Sequence, residues 1–382
     1  MNNIADGWTD FLSAQGADFE NNVLRGFNKT SVADESEVSD WMTDLSDLTA
    51  IRVTGSGAAA FLQNQFCNDV ELLHHESDDG GAAVAQLNGY CNPKGRMHAT
   101  FHLILLPTYT GDDGAGQFLM IVAADIADAL IKRLRMFASL PPAMPAPGAE
   151  RPTGFMLQTE VEFESLADSM RIIGCGGKAV PEALESLFPA GHPSPDGLDY
   201  SVEQGRGLHM LRLPSERYLL LVDAEAAEGC WTLASSNLQA VGSSRWALAS
   251  IDAGEAVVGQ SLTEQLIPQM INLQAVDGVS FKKKCYPGQE IVARMQYLGK
   301  LKRRMRRVSI DTNTLPEAGA RLTTGDDKDA GILVSAALTN KGCRALVVVK
   351  NDLDASGLVV EGVADAGITQ LDLPYAVETA EQ

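Results

Sequence analysis

The stretch Phe281-Lys282-Lys283-Lys284-Cys285-Tyr286-Pro287-Gly288-Gln289-Glu290 sets one thiol behind three lysines and ahead of a Pro-Gly turn. An ammonium group nearby favours thiolate over thiol, the nucleophilic, metal-binding and oxidisable form, so Cys285 is the leading candidate for a working side chain. Working outward, the window from Lys282 to Arg307 carries ten Lys or Arg against one acid, Glu290. That is a third of the 30 Lys and Arg in a chain of 382 residues whose formal net charge is −20. Such a chain repels nucleic acid as a whole, so any contact with a polyanion has to be local, and this window is the place for it.

The remaining composition narrows the class. A hydrophobic content of 45% describes a globular protein rather than a disordered one, long enough for two or three domains with proper cores. The six cysteines, Cys67, Cys91, Cys175, Cys230, Cys285 and Cys343, form no CxxC pair and have no histidine at zinc-ligand spacing, so no metal site is expected. Met1 to Glu20 holds four acids and no basic region followed by an apolar run, unlike a secretory signal, and no apolar stretch approaches a membrane span. A cytoplasmic protein with free thiols is the expectation.

Leu48 to Thr54 reads as a strand, followed by Gly55-Ser56-Gly57 and a helix presenting Ala60, Phe61, Leu62 and Phe66. Ala82 to Leu87 and Met97 to Leu106 read as strands flanking the Asn92-Pro93-Lys94-Gly95 turn, and Gln117 to Ala123 as another. Asp125 is placed to cap the helix that follows, with Ile126, Leu130, Ile131, Leu134 and Phe137 on one side. Prolines between Pro141 and Pro152, and a turn-rich run from Pro189 to Gly197, read as loops. His209 to Leu213 and Arg217 to Val222 pair as a hairpin around Pro214-Ser215, ahead of a helical stretch from Ala224 to Leu238. Strands then a helix, twice over, give an α+β protein with a duplicated split-β layout. Beyond Arg307 short β-rich runs predict a small C-terminal barrel or sandwich. Approximate units are 1–140, 141–300 and 301–382, with interleaving allowed.

Taken together, Ile267-Pro268-Gln269, Asn272-Leu273-Gln274, Ser280-Phe281-Lys282-Lys283, Cys285-Tyr286, Gly288-Gln289-Glu290 and Val292-Ala293-Arg294 closely resemble the signature of the YgfZ family. Upstream, Val53-Thr54-Gly55, Phe61-Leu62-Gln63, Asn68-Asp69-Val70 and Pro93-Lys94-Gly95-Arg96 are similar to the family's opening unit and first hairpin. Trp246-Ala247-Leu248, Ile251-Asp252-Ala253-Gly254 and Leu373-Pro374-Tyr375 extend the match over roughly residues 45 to 378. Lys284 stands where the family usually has Gly, Pro287 where Ser or Thr is common, and Leu48 near a tryptophan associated with folate. The resemblance implies a ring-like, T-protein-like fold of two α+β units and a C-terminal β-barrel. It further implies tetrahydrofolate or a folate derivative as ligand, and a role in iron–sulfur cluster maintenance and tRNA modification.

Folate presents a flat pterin with donor and acceptor edges and an anionic glutamate tail, so its pocket needs an aromatic wall, an acid or amide, and a cation. Trp246 is the candidate wall, Asp252 the acceptor for the pterin edge, Gln269 or Asn272 its complement, and Arg294 or a neighbouring lysine the cation for the tail. Plainer readings stand beside these: Trp246 as core, Asp252 as a turn organiser, Arg294 paired with Glu290 at i,i+4. Lys283, Lys284, Tyr286, Gly288, Gln289 and Glu290 make the signature loop, and Cys285 is read as a nucleophile, a redox thiol or a transient ligand for iron or sulfur. The Lys300 to Arg307 run is either a solvated or strand-borne charge, or a docking patch for tRNA or an acidic partner. Three functions follow: a folate-binding accessory protein for iron–sulfur and tRNA-modifying enzymes, a folate-dependent aminomethyltransferase or demethylase, and a ligand-free scaffold.

Overall fold

The computed structural model describes residues 3–20, 23–28, 30, 32–73, 83–106, 117–139, 160–188, 198–283, 285–363 and 366–377. The Pro141–Pro152 and Pro189–Gly197 segments, and Lys284, fall outside these residues.

Eleven strands form one sheet, and its order exposes a duplication. Leu48–Thr54, Ala83–Cys91, Met97–Leu106 and Gln117–Ala123 make the first half; Met170–Gly176, Ser201–Gly205, Leu208–Leu213 and Arg217–Asp223 make the second. In each half the spatial order from the centre is second, third, fourth, first strand, and the halves join where Ser201 and Val202 pair with Val84 and Ala83. Each half also borrows its next strand outward. Trp41–Asp44 precedes the first half in sequence but pairs with Met170–Gly176, and Glu162–Ser165 precedes the second half but pairs with Leu48–Thr54.

Met97–Leu106, Gln117–Ala123, Met170–Gly176 and Arg217–Asp223 are covered on both faces, and Met97–Leu106 is buried at all ten positions. Period-two alternation sorts its side chains. Phe101, Leu103 and Leu105 pack with Phe61, Leu62 and Leu134 of the helices Ala58–Gln65 and Ala127–Ala138. Ile104 and Leu106 face the other way, into a core shared with Ile172, Leu219 and Leu221 of the second half. Leu220 and Val222 turn back toward Trp231 of the helix Ala227–Ala234 and Leu12 of the helix Asn3–Ala14. The helix at 127 starts without the expected cap: a 3-10 turn, Ala124–Ile126, leads into it, and the Asp125 carboxylate instead accepts from the Gln260 amide at 3.0 Å.

The C-terminal region is a six-stranded antiparallel sheet in the order Leu358–Val360, Arg321–Thr324, Asp329–Thr339, Gly342–Lys350, Arg303–Ile310, Ile368–Leu371. It curls around its own core of Val308, Ile310, Leu322, Leu333, Val347 and Val349, and its end strands stay unpaired with each other among the described residues, making a half-barrel. Met305, Val334, Leu346 and Val348 on its other face pack against Leu248 and Ile251 of the helix Ser244–Asp252.

Two glycines of Met170–Gly176 make room for the tryptophans of the shared core. A Cβ on Gly174 would lie 2.6 Å from the Trp246 ring, and one on Gly176 would meet Trp41. Overpacking of this kind costs about 1–3 kcal/mol, so Gly174→Ala is expected to lower the urea midpoint by that much stability with an unchanged m-value.

Candidate functional site

The signature loop is fastened from both sides. Asn272 occupies a left-handed backbone position (φ 56°) between two 3-10 turns, Pro268–Ile271 and Leu273–Val276, and its amide donates to the Met305 carbonyl at 3.2 Å. The Gln269 amide donates to the Val292 carbonyl at 2.7 Å, inside the helix Gln289–Tyr297. Gly288 (φ 84°) precedes that helix in close contact with Asn92 and Gly95, so a side chain there would strike the hairpin backbone. The Pro93-Lys94-Gly95-Arg96 and Gly288-Gln289-Glu290 motifs, nearly two hundred residues apart, are therefore one interlocked unit.

Within the loop, the described side chains go to different sides. Lys283 turns inward: its ammonium donates to the carbonyls of Phe66 at 2.6 Å and Asn68 at 2.8 Å and sits 5.4 Å from the Tyr286 ring centroid. Burial pushes it down from the usual lysine range to about 8. Tyr286 is also buried, which together with the neighbouring Cys67 and Cys91 raises its phenol. Cys285 faces solvent between them and is the one exposed cysteine of the six. Lys283 is therefore not a free cation beside Cys285, because its charge is committed to the Phe66 and Asn68 carbonyls. Lys282 stays exposed.

A narrow cavity of about 30 Å³ lies at the seam of the two halves, lined by Leu48, Leu87, His102, Leu219, Trp246 and Glu255, among others. Trp246 packs edge-on against Trp41, ring centroids 6.2 Å apart, with the Arg217 guanidinium 5.7 Å from its ring. Arg217 donates to Glu255 at 2.7 Å and to the Ser250 hydroxyl at 3.2 Å. His102 Nε2 lies 3.3 Å from the other Glu255 oxygen but outside hydrogen-bond alignment, leaving that nitrogen without a hydrogen-bond partner among the described residues. Burial alone would raise the Glu255 carboxyl, but Arg217 and His102 outweigh it and hold the group below its ordinary value, so it is ionised. Burial lowers the His102 imidazole against the pull of Glu255.

Of the residues singled out by sequence, the structure brings Trp246 and Leu48 to this cavity. Asp252 is elsewhere: one oxygen accepts from Arg307 at 3.3 Å, the other from Arg344 at 2.6 Å, clamping the helix end to the half-barrel. Gln269 and Asn272 are buried as fasteners of the signature segment, and Arg294 is exposed on the helix Gln289–Tyr297, outside the cavity lining. Glu290 and Arg294 form no ion pair among the described residues. The sequence reading passed over Glu255, His102 and Arg217. A single polar residue inside an apolar run, as in Phe101-His102-Leu103, is the signal that finds His102; Arg217 follows Glu216 at the start of its strand and carries no such mark.

This architecture is that of the glycine-cleavage aminomethyltransferases: the T-protein of Bartonella henselae superposes with a TM-score of 0.68 over 95% of both chains at 16% identity. Among curated proteins the chain resembles the YgfZ family along nearly its whole length, as its motifs indicated. It is 28% identical over 349 residues to the tRNA-modifying protein YgfZ of Pectobacterium carotovorum, covering 90% of this chain and 93% of that one. It is 29% identical over 344 residues to the same-named protein of Serratia proteamaculans, at 88% and 92% coverage. No protein-family model matches the chain. No described helix is long and apolar enough to cross a membrane.

Lys283 carries a pH signature. Its folded-state value near 8 lies below the ordinary 10.5, so between those limits the unfolded chain binds more protons and stability rises with pH. The full relief is roughly 3 kcal/mol at most. Urea unfolding from pH 7.5 to 10.5 is expected to show this rise in the wild type and to lose it in Lys283→Met.

Proposed function

We propose that this chain is a tetrahydrofolate-binding accessory protein that supports iron–sulfur cluster assembly or repair and, through it, tRNA modification. The observation that carries this reading is the seam cavity, in which an indole wall stands beside one ionised carboxylate and one unpartnered imidazole nitrogen. Folate supplies a flat pterin whose amino group and ring N–H donate hydrogen bonds. Trp246 provides a stacking wall, Glu255 accepts from the donor edge, and His102 Nε2 offers the remaining polar contact. The residues therefore fit the pterin in kind. In size they do not yet: about 30 Å³ holds one or two waters, so a pterin requires the lining to move apart.

The fold likeness to an aminomethyltransferase and the names of the YgfZ relatives support a folate-linked role in tRNA modification. An accessory role is favoured over aminomethyl transfer by one feature. Glu255 is the one carboxylate among the described residues lining the cavity, and Arg217 holds it by a 2.7 Å hydrogen bond instead of leaving it free to take a proton. Cys285 is exposed and outside the lining, so its thiol acts at a second place in the process.

Anaerobic calorimetric titration with tetrahydrofolate tests the cavity. Wild type binds, while Trp246→Phe and Glu255→Gln each weaken binding by about tenfold or more, the loss expected for one stacking or charged hydrogen-bond contact. Absence of wild-type binding overturns the folate reading. In a deletion strain, Cys285→Ala protein is expected to bind folate normally yet fail to restore iron–sulfur enzyme activity; full restoration removes the thiol's role.

A further inference from the structure

Most of the arginines in the basic window are spent inside the molecule. Arg303 pairs with Asp329, Arg307 with Asp252, and Arg306 donates to the carbonyls of Leu353, Lys350 and Asn351. What is left over is gathered along the chain around one exposed helix. Lys282, Arg294, Lys300 and Lys302 are exposed, with no ion pair among the described residues. They flank the helix Gln289–Tyr297, which buries only Val292. Its end presents Tyr297, 69% exposed, and Leu298, 84% exposed. The Phe281 ring stands edge-on to Tyr297 with centroids 6.0 Å apart, steadying the phenol while leaving most of it in water. Gly95 lies against Ile291, where an added Cβ would come within 3.1 Å, and this brings the hairpin with its exposed Lys94 up to the helix.

We infer that this face is a docking platform for single-stranded RNA, with Tyr297 and Phe281 receiving bases and Lys282, Arg294, Lys300 and Lys302 receiving phosphates. The inference rests on the tRNA-modification reading and names the contact it requires. Cations interleaved with a solvent-facing aromatic are what an unpaired strand needs, because every base offers a π-face and every nucleotide a charge. A duplex would use the cations alone, and an acidic polypeptide would have no use for the stacking surface. On a chain of net charge −20 the platform also sets orientation, since other surfaces repel the strand.

The test is fluorescence anisotropy of full-length protein with a labelled tRNA anticodon stem-loop, an unstructured oligonucleotide and a blunt RNA duplex, at about 50 and 200 mM KCl, with polyglutamate as competitor. The stem-loop and the oligonucleotide are expected to bind, and the duplex more weakly. Tyr297→Ala should lower affinity about 5- to 100-fold with an unchanged salt slope, the effect of one lost stack. Lys300→Gln with Lys302→Gln should flatten the slope of log K against log salt by about 1.4, the value for two single-strand phosphates. Equal binding of duplex or polyglutamate with a neutral Tyr297→Ala overturns the proposal in favour of an acidic partner, and so does absence of RNA binding at low salt. Trp246→Phe protein should bind RNA as the wild type does, so failure of the platform and failure of the folate cavity are read separately.

Discussion

Arg217 is 1% exposed and Glu255 8% exposed, and the 2.7 Å hydrogen bond between them spans three parts of the chain. Arg217 opens the last strand of the second half. Glu255 lies on the segment leading from the helix Ser244–Asp252 to the signature, and His102, beside it, belongs to the first half. Two ions this deeply buried are stable only while each has the other, and removing one leaves an uncompensated charge at a cost of about 3–5 kcal/mol. The pair thereby fixes the position of Trp246, over which the guanidinium lies, and the seam at which the halves meet.

Strands whose hydrophobic runs are bounded by Gly or Pro were legible, to the residue for Leu48–Thr54 and Met97–Leu106 and to within one residue for the hairpin Leu208–Leu213 with Arg217–Asp223. Their burial pattern is local, and their register follows from a short turn. The duplication was visible for the same reason. The exchange of outer strands was not, because Trp41–Asp44 and Glu162–Ser165 are four-residue segments whose partners are chosen by tertiary contact. Asp125 shows the same limit at one residue: an acid before a helix satisfies the capping pattern, yet a distant amide, Gln260, offered it a better bond.

The site was legible as a region more than as a set of side chains. The segment from Trp246 to Gly254 was singled out, but within it Asp252 became a structural clamp, while Glu255 one residue further faces the cavity. A helix end and the turn after it point consecutive residues in different directions, so sequence proximity does not choose among them. Charge density was similarly ambiguous. Lysines 282 to 284 look equivalent in sequence, but Lys283 is sunk beneath the loop and Lys282 is left at its surface.

The exchanged strands bear on how such a chain is made. Arg52 and Glu164 face each other across the ladder at a sequence separation of 112 residues, and the first half lacks its outer neighbour until Glu162–Ser165, just ahead of the second half, has been synthesised. During translation the first half emerges with Leu48–Thr54 as an open edge, a template for pairing with another chain until Glu162–Ser165 covers it. Completion of both halves together is therefore a late, cooperative event, and a fragment ending before residue 160 would be poor material for a soluble domain.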